Sequence, residues 1–198
     1  LEQAATPEAQ SSCLLQHGLD FMAWLDADVL PPEEYLSSAV VNLPLIGVVQ
    51  LAYFWVMWKC LGKSLQDIHK TISGTTGHSL GIVSAVILAT STTEVEFIQN
   101  AQTGVTLLFW IGLRAAQAYP TSALDPDILE DSLQSNEGKP TPMLNVAKLT
   151  ISQVKQHMEE VNKLVPAGRQ LEVALINGPR NVIVAGPEDS LCGLNRML

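Results

Sequence analysis

The run LGIVSAVILAT (residues 80–90) is apolar almost all round, and the chain enters it through Gly77-His78-Ser79-Leu80-Gly81. A helix apolar on every side cannot lie in water, so this juncture predicts a core helix entered through a tight turn. The five residues fit G-x-S-x-G, the nucleophile elbow, in which a serine sits on a sharp strand-to-helix bend with its hydroxyl projecting from the sheet edge. Glycines at both ends let the backbones pass without Cβ clashes. The helix N-terminus then directs N–H groups and its dipole at the hydroxyl, where negative charge develops, and the Leu80 N–H is the natural first oxyanion donor. Residues 71–76, rich in β-branched side chains, suit the incoming strand. The same five residues also suit a plain glycine-flanked turn before a core helix.

A serine nucleophile needs a base. The histidines are His17, His69, His78 and His157. On a strand His78 points away from Ser79, so it is expected to pack or hydrogen-bond beside the site. His69 lies on a polar segment just before the turn, and His17 in a polar N-terminal region. His157 flanks the apolar face of an amphipathic helix, where a half-exposed surface histidine is the ordinary reading. The chain therefore carries a nucleophile without an evident base.

Composition removes several alternatives. The 198 residues suit one domain, or one with a subdomain. With 47% hydrophobic and 16% charged residues the chain is expected to be globular. A net charge of −9 and an isoelectric point near 4.8 argue against nucleic-acid binding and against docking on an anionic membrane surface. Three separated cysteines, Cys13, Cys60 and Cys192, form no metal-ligand or disulfide pattern, and a cytoplasmic setting is the default. The N-terminus lacks the basic-then-apolar order of a signal peptide. The apolar stretch at residues 43–58, interrupted by Gln50, falls short of the roughly 20 residues of a membrane span. A buried core helix is expected there.

Residues 20–30 predict a short helix or loop anchored by Trp24, and Pro31-Pro32-Glu33-Glu34 a turn opening a helix. Pro44 is expected to break or begin a helix over residues 45–61, with Gly62 as its cap. A polar helix at 64–70 and a long one at 93–119, stopped by Pro120, complete an α/β body. Residues 121–141 are polar and acidic, the best candidate linker, so the expected division is 1–140 and 141–198. Beyond it, a strand at 142–147, an amphipathic helix at 150–164, strands at 171–176 and 181–185 and a helix opened by Pro187 give the order β-α-β-β-α of a ferredoxin-like unit.

GHSLG, preceded by LPLIGVVQLA (residues 43–52), resembles the malonyl/acetyl-transferase family. The closest likeness is to the acetyltransferase (starter acyltransferase) domain of the fungal fatty acid synthase β subunit. TGHSLGIVSAV, LLFWIGLRAAQAYP, ILEDSLQSNEGKPTPML and LINGPRNVIVAGPEDSLCGLN carry it from about Leu43 to the end. A hexanoate-synthase-type β subunit would look the same.

The resemblance implies an acyltransferase fold with an α/β-hydrolase-like core and a small ferredoxin-like subdomain, here a fragment lacking both ends. It implies that Ser79 takes an acetyl or short-chain acyl starter from acyl-CoA and passes it to the phosphopantetheine thiol of an acyl carrier protein, beside the α subunit of the synthase, with no bound cofactor. A second oxyanion donor, from a Gly-Gln-Gly loop, and the catalytic histidine would lie outside this chain. His78 would flank the substrate, and Asn177 matches an asparagine that helps hold the histidine loop. Malonyl-specific members bind the substrate carboxylate with an arginine. Ile111 aligns with it, which favours a neutral acyl group because an unpaired buried carboxylate is costly. Arg114, one turn away, is the alternative clamp. Leu80 points the other way, since glutamine is expected after the nucleophile in the acetyltransferase subgroup and leucine in malonyl-type members. Two other readings stand beside this one: a catalytically incomplete structural piece of a synthase, and a serine hydrolase, against which counts the missing Asp…His pair after Ser79.

Overall fold

The computed structural model describes residues 2–11, 14–118 and 125–198. The chain divides into two compact units, Leu1–Thr121 and Ser122–Leu198. Cys13, and Pro120 as the expected helix stop, lie outside the described residues.

The first unit has helices and no strand among its described residues. After a 3-10 turn at Glu2–Ala5 come α1 (Pro7–Ser11), α2 (Phe21–Leu25), α3 (Glu33–Leu36), α4 (Ala39–Leu61), α5 (Leu65–Thr71), α6 (Gly81–Thr90) and α7 (Glu94–Ala118). Caps explain several starts. The Asp20 carboxylate accepts the Ala23 N–H, and the Ser64 hydroxyl the Asp67 N–H. Before α7 the Thr93 hydroxyl accepts the Glu96 N–H while the Glu96 carboxylate accepts the Thr92 and Thr93 N–H groups, a reciprocal cap. Those bonds, led by the Thr92 hydroxyl, hold the Glu96 carboxyl below its ordinary pKa. Trp24 anchors its segment, meeting Phe21 and Tyr35 edge-on at 5.3 and 6.4 Å.

Helix α4 corrects two expectations. It begins at Ala39 and runs through Pro44, which neither breaks nor opens it. Proline removes one helical hydrogen bond, but Val40, Val41, Pro44, Gly47 and Leu51 form a buried stripe, and packing carries the helix past the gap. Val40 and Val41 share a core with Phe109 and Leu113 of α7. The two backbones come so close that a Cβ on Gly112 would lie 2.3 Å from the Ala39 carbonyl oxygen. At 23 residues and a mean hydropathy of 1.8, α4 is also long and apolar enough, by length and composition, to cross a membrane. Only 28% of that window is buried, so it is a half-covered helix rather than a sunken one. Gly62 caps it in the left-handed conformation, φ +62°.

Two further expectations fail in this unit. Residues 71–76 form no strand: α5 runs to Thr71, and the chain then extends without a ladder partner among the described residues, which a strand requires. Nor is α6 buried all round. Ser84 and Ile87 are buried on one side, against α4 and α7, while Ile82 and Val86 are about half exposed on the other.

The second unit holds α8 (Pro126–Gln134), β1 (Met143–Ala147), α9 (Ile151–Asn162), β2 (Glu172–Gly178), β3 (Asn181–Ala185) and α10 (Glu188–Asn195). Helix α8 lies inside the stretch expected to be linker and belongs with this unit rather than the first. Its signal was Asp125-Pro126, a capping carboxylate and a proline at the first turn, masked by the acidic composition. The sheet order is β1-β3-β2, both pairs antiparallel, so β1 and β2 run parallel with β3 between them, a split β-α-β arrangement. Val146, Val182 and Val184 pack on Val154, Met158 and Val161 of α9 and on Leu191 and Leu194 of α10. Thr150 and Gln153 form a capping box on α9. The architecture is thus helix-rich α/β, with one small antiparallel sheet.

Gly112→Ala is expected to lower stability by roughly 1–3 kcal/mol, the usual cost of overpacking where backbone must give way. Urea denaturation checks it, and an unchanged midpoint would contradict the α4–α7 contact.

Candidate functional site

Ser79 stands at the bend between the extended segment 72–77 and α6, with φ +54°. Non-glycine residues avoid that left-handed region, at a cost of order 1–3 kcal/mol. What enforces it lies on either side. A Cβ on Gly77 would fall 2.1 Å from the Gly81 carbonyl oxygen and 2.5 Å from the Ile82 nitrogen, so the two arms of the bend touch backbone to backbone. The Thr75 hydroxyl donates to the Ala85 carbonyl at 2.9 Å and straps the incoming segment to α6. Glycine is required at one end of the motif only: a Cβ on Gly81 meets no atom within 4 Å. The expectation of two obligatory glycines is corrected on that point.

The N–H groups around the bend are mostly taken. Gly81 donates to the His78 carbonyl at 2.9 Å, Ile82 to Ser79 at 3.1 Å and Val83 to Leu80 at 3.0 Å. The Leu80 N–H has no acceptor among the described residues, which leaves a backbone donor beside the Ser79 hydroxyl where an oxyanion would need one. Ser79 is exposed, and its hydroxyl makes no hydrogen bond among the described residues.

The other expected residues are distributed as follows. His78 is exposed, in the bend rather than on a strand. Ile111 is 45% exposed on α7. Arg114 donates to the Glu8 carboxylate at 2.6 Å and the Gln117 amide at 2.9 Å, and lies over the Trp110 ring. Such an exposed ion pair is worth little, yet it gives the guanidinium a partner already. Asn177 is exposed in the second unit, as the extra residue of a bulge: Ile176 pairs with Val182 and Gly178 with Asn181. Bulges redirect a side chain and are common beside active sites.

Within the first unit no histidine hydrogen-bonds Ser79 among the described residues. His69 hydrogen-bonds the Leu88 carbonyl at 2.8 Å, His17 meets the Tyr35 ring edge-on at 4.9 Å, and His157 is half-buried on α9. Sequence reasoning missed the Thr75 strap. It also missed a contact behind the bend: the Ser84 hydroxyl of α6 donates to the Gln50 side-chain carbonyl of α4 at 2.7 Å. The available signal was Gln50 itself, the one polar residue in LPLIGVVQLAYFWVMW.

A family model described as "SAT: Starter unit:ACP transacylase in aflatoxin biosynthesis" matches residues 3–197. The chain is 43% identical over 182 residues to the fatty acid synthase subunit beta of Saccharomyces cerevisiae, covering 91% of this chain and 9% of that protein. It is 43% identical over 189 residues to the corresponding subunit of Schizosaccharomyces pombe, covering 96% and 9%. It is 36% identical over 198 residues to the fatty acid synthase beta subunit TOXC of Cochliobolus carbonum, covering 100% and 9%. The chain thus spans about a tenth of the length of the relatives it matches.

Gly77→Ala is expected to open the bend and destabilise the first unit, whereas Gly81→Ala is near neutral. Ser79→Gly relieves the left-handed strain and is expected to stabilise by about 1 kcal/mol. Urea midpoints of the three variants check this. A Ser79→Gly protein less stable than the parent would contradict the strained bend.

Proposed function

The chain belongs to the starter unit:ACP transacylase family, and from that premise we propose that it loads an acetyl or short-chain acyl starter from coenzyme A onto an acyl carrier protein through an acyl-enzyme on Ser79. The observation that carries this reading is the left-handed, exposed Ser79 at a bend closed by Gly77, with the Leu80 N–H unpaired beside it. The hydroxyl oxygen attacks the thioester carbonyl carbon, and its proton passes to a general base. The carbonyl oxygen becomes an oxyanion at the Leu80 N–H, and collapse expels the CoA thiolate, which takes up a proton. The carrier's phosphopantetheine thiol then gives its proton to the base and attacks the Ser79 ester, and the serine oxygen leaves with that proton as the new thioester forms. Two half-reactions of similar difficulty replace one direct transfer.

The base and a second oxyanion donor are supplied by parts of the synthase other than this chain. Ile111 in place of a cation, with Arg114 engaged by Glu8, supports a neutral acyl group. Asn177 on its bulge supports the loop that carries the base. The bend belongs to a hydrolase-like core, and the split β-α-β sheet is part of a ferredoxin-like subdomain. The α subunit of the synthase is a partner, the setting is cytoplasmic, and α4 is a helix of the enzyme core.

In the full-length protein Ser79→Ala is expected to cut acyl transfer from acetyl-CoA to the carrier protein by at least about a thousandfold, leaving far-UV circular dichroism unchanged. Transfer at the parent rate would contradict the nucleophile, and rapid release of free acetate by the parent would point to a hydrolase.

A further inference from the structure

We propose that Gln50 is a positioning residue for the Ser79 bend, acting through Ser84; the proposal rests on the acyl-enzyme reading. A serine within a helix can bond back to the carbonyl four residues earlier. The C-terminal end of α6 follows that habit: Thr90 donates to the Val86 carbonyl at 2.8 Å and Ser91 to Ile87 at 2.6 Å. Ser84 does not. Its hydroxyl, on a residue only 8% exposed, turns off its own helix and donates to the Gln50 side-chain carbonyl on α4 at 2.7 Å.

The position of this bond gives it consequence. Ser84 lies five residues past Ser79, within the first turns of α6, whose first residue Gly81 bears on Gly77. The Ser79 hydroxyl makes no hydrogen bond of its own among the described residues, so its placement is inherited from α6. The other interactions between α6 and α4 are apolar contacts, among them Val83 against the cluster that holds Val48 and Leu51. Such contacts resist separation but tolerate sliding and rotation, because dispersion is not directional. A hydrogen bond between two side chains is directional, so Ser84–Gln50 sets the rotation of α6 about its axis and with it the direction in which Ser79 and the Leu80 N–H project. A displacement of about 1 Å at reacting atoms can reduce a rate a hundredfold.

The test uses the full-length protein and single-turnover acylation by radiolabelled acetyl-CoA. Label on Ser79 in the parent protein is read first, since its absence removes the acyl-enzyme reading and this proposal with it. Given that label, Gln50→Leu and Ser84→Ala are each expected to slow acylation about ten- to a hundredfold at saturating acetyl-CoA, with half-saturation unchanged. The double variant is expected to be no slower than either single, because one bond is lost in all three. Gln50→Glu keeps an acceptor and restores the rate. Ser91→Ala, which removes a buried hydroxyl bonded to Ile87 and Asn100 at the far end of the helix, is expected to lower the melting temperature without slowing acylation. Parent-like rates in Gln50→Leu, additive losses in the double variant, or an equal slowing in Ser91→Ala would each overturn the positioning role.

Discussion

Gly77 lies against the Gly81 carbonyl so closely that one methyl group would overlap it, and this contact between two stretches of backbone governs the candidate site. With the arms of the bend that close, the chain has one short interval in which to reverse, and Ser79 takes the left-handed conformation there. The strain is local, while the interactions that sustain it are spread out: the Thr75 strap, three short-range N–H bonds through the bend, and the seating of α6 on α4 and α7. The Ser79 hydroxyl is exposed at this bend and makes no hydrogen bond among the described residues.

The supporting helices follow the same logic on a larger scale. Helix α4 survives an internal proline because α7 covers the stripe in which that proline lies, and Gly112 lets the two backbones meet. Its other face is open, with Tyr53 75% and Val56 59% exposed, and α6 likewise shows Ile82 and Val86. In the second unit the apolar face of the sheet is closed by α9 and α10, and two bulges break the regularity of the outer strand β2.

Much of this was legible in residue order. The bend, α6, α9 and the β-α-β-β-α sequence announce themselves through period and turn residues, which are local properties. What was not legible depended on contacts distant in sequence. Residues 71–76 have strand-like side chains, but a strand exists only with a neighbour. Pro44 is a helix breaker in isolation and is overruled by Phe109 and Leu113, far along the chain. Helix α8 was hidden by acidic composition although its cap was in plain view. Ser79 could be singled out from five residues, whereas Gln50 could not be joined to it, since nothing in a single sequence links position 50 to position 84.

The central claim is that Ser79 itself carries the acyl group between donor and carrier. Peptide mapping by mass spectrometry, after brief exposure of the full-length protein to acetyl-CoA without carrier protein, addresses it most directly. The account predicts one acetyl ester, on the peptide containing Gly77 to Gly81 and located at Ser79, that disappears when carrier protein is added. An acetyl group on another residue, or carrier acetylation with Ser79 unmodified throughout, would contradict it.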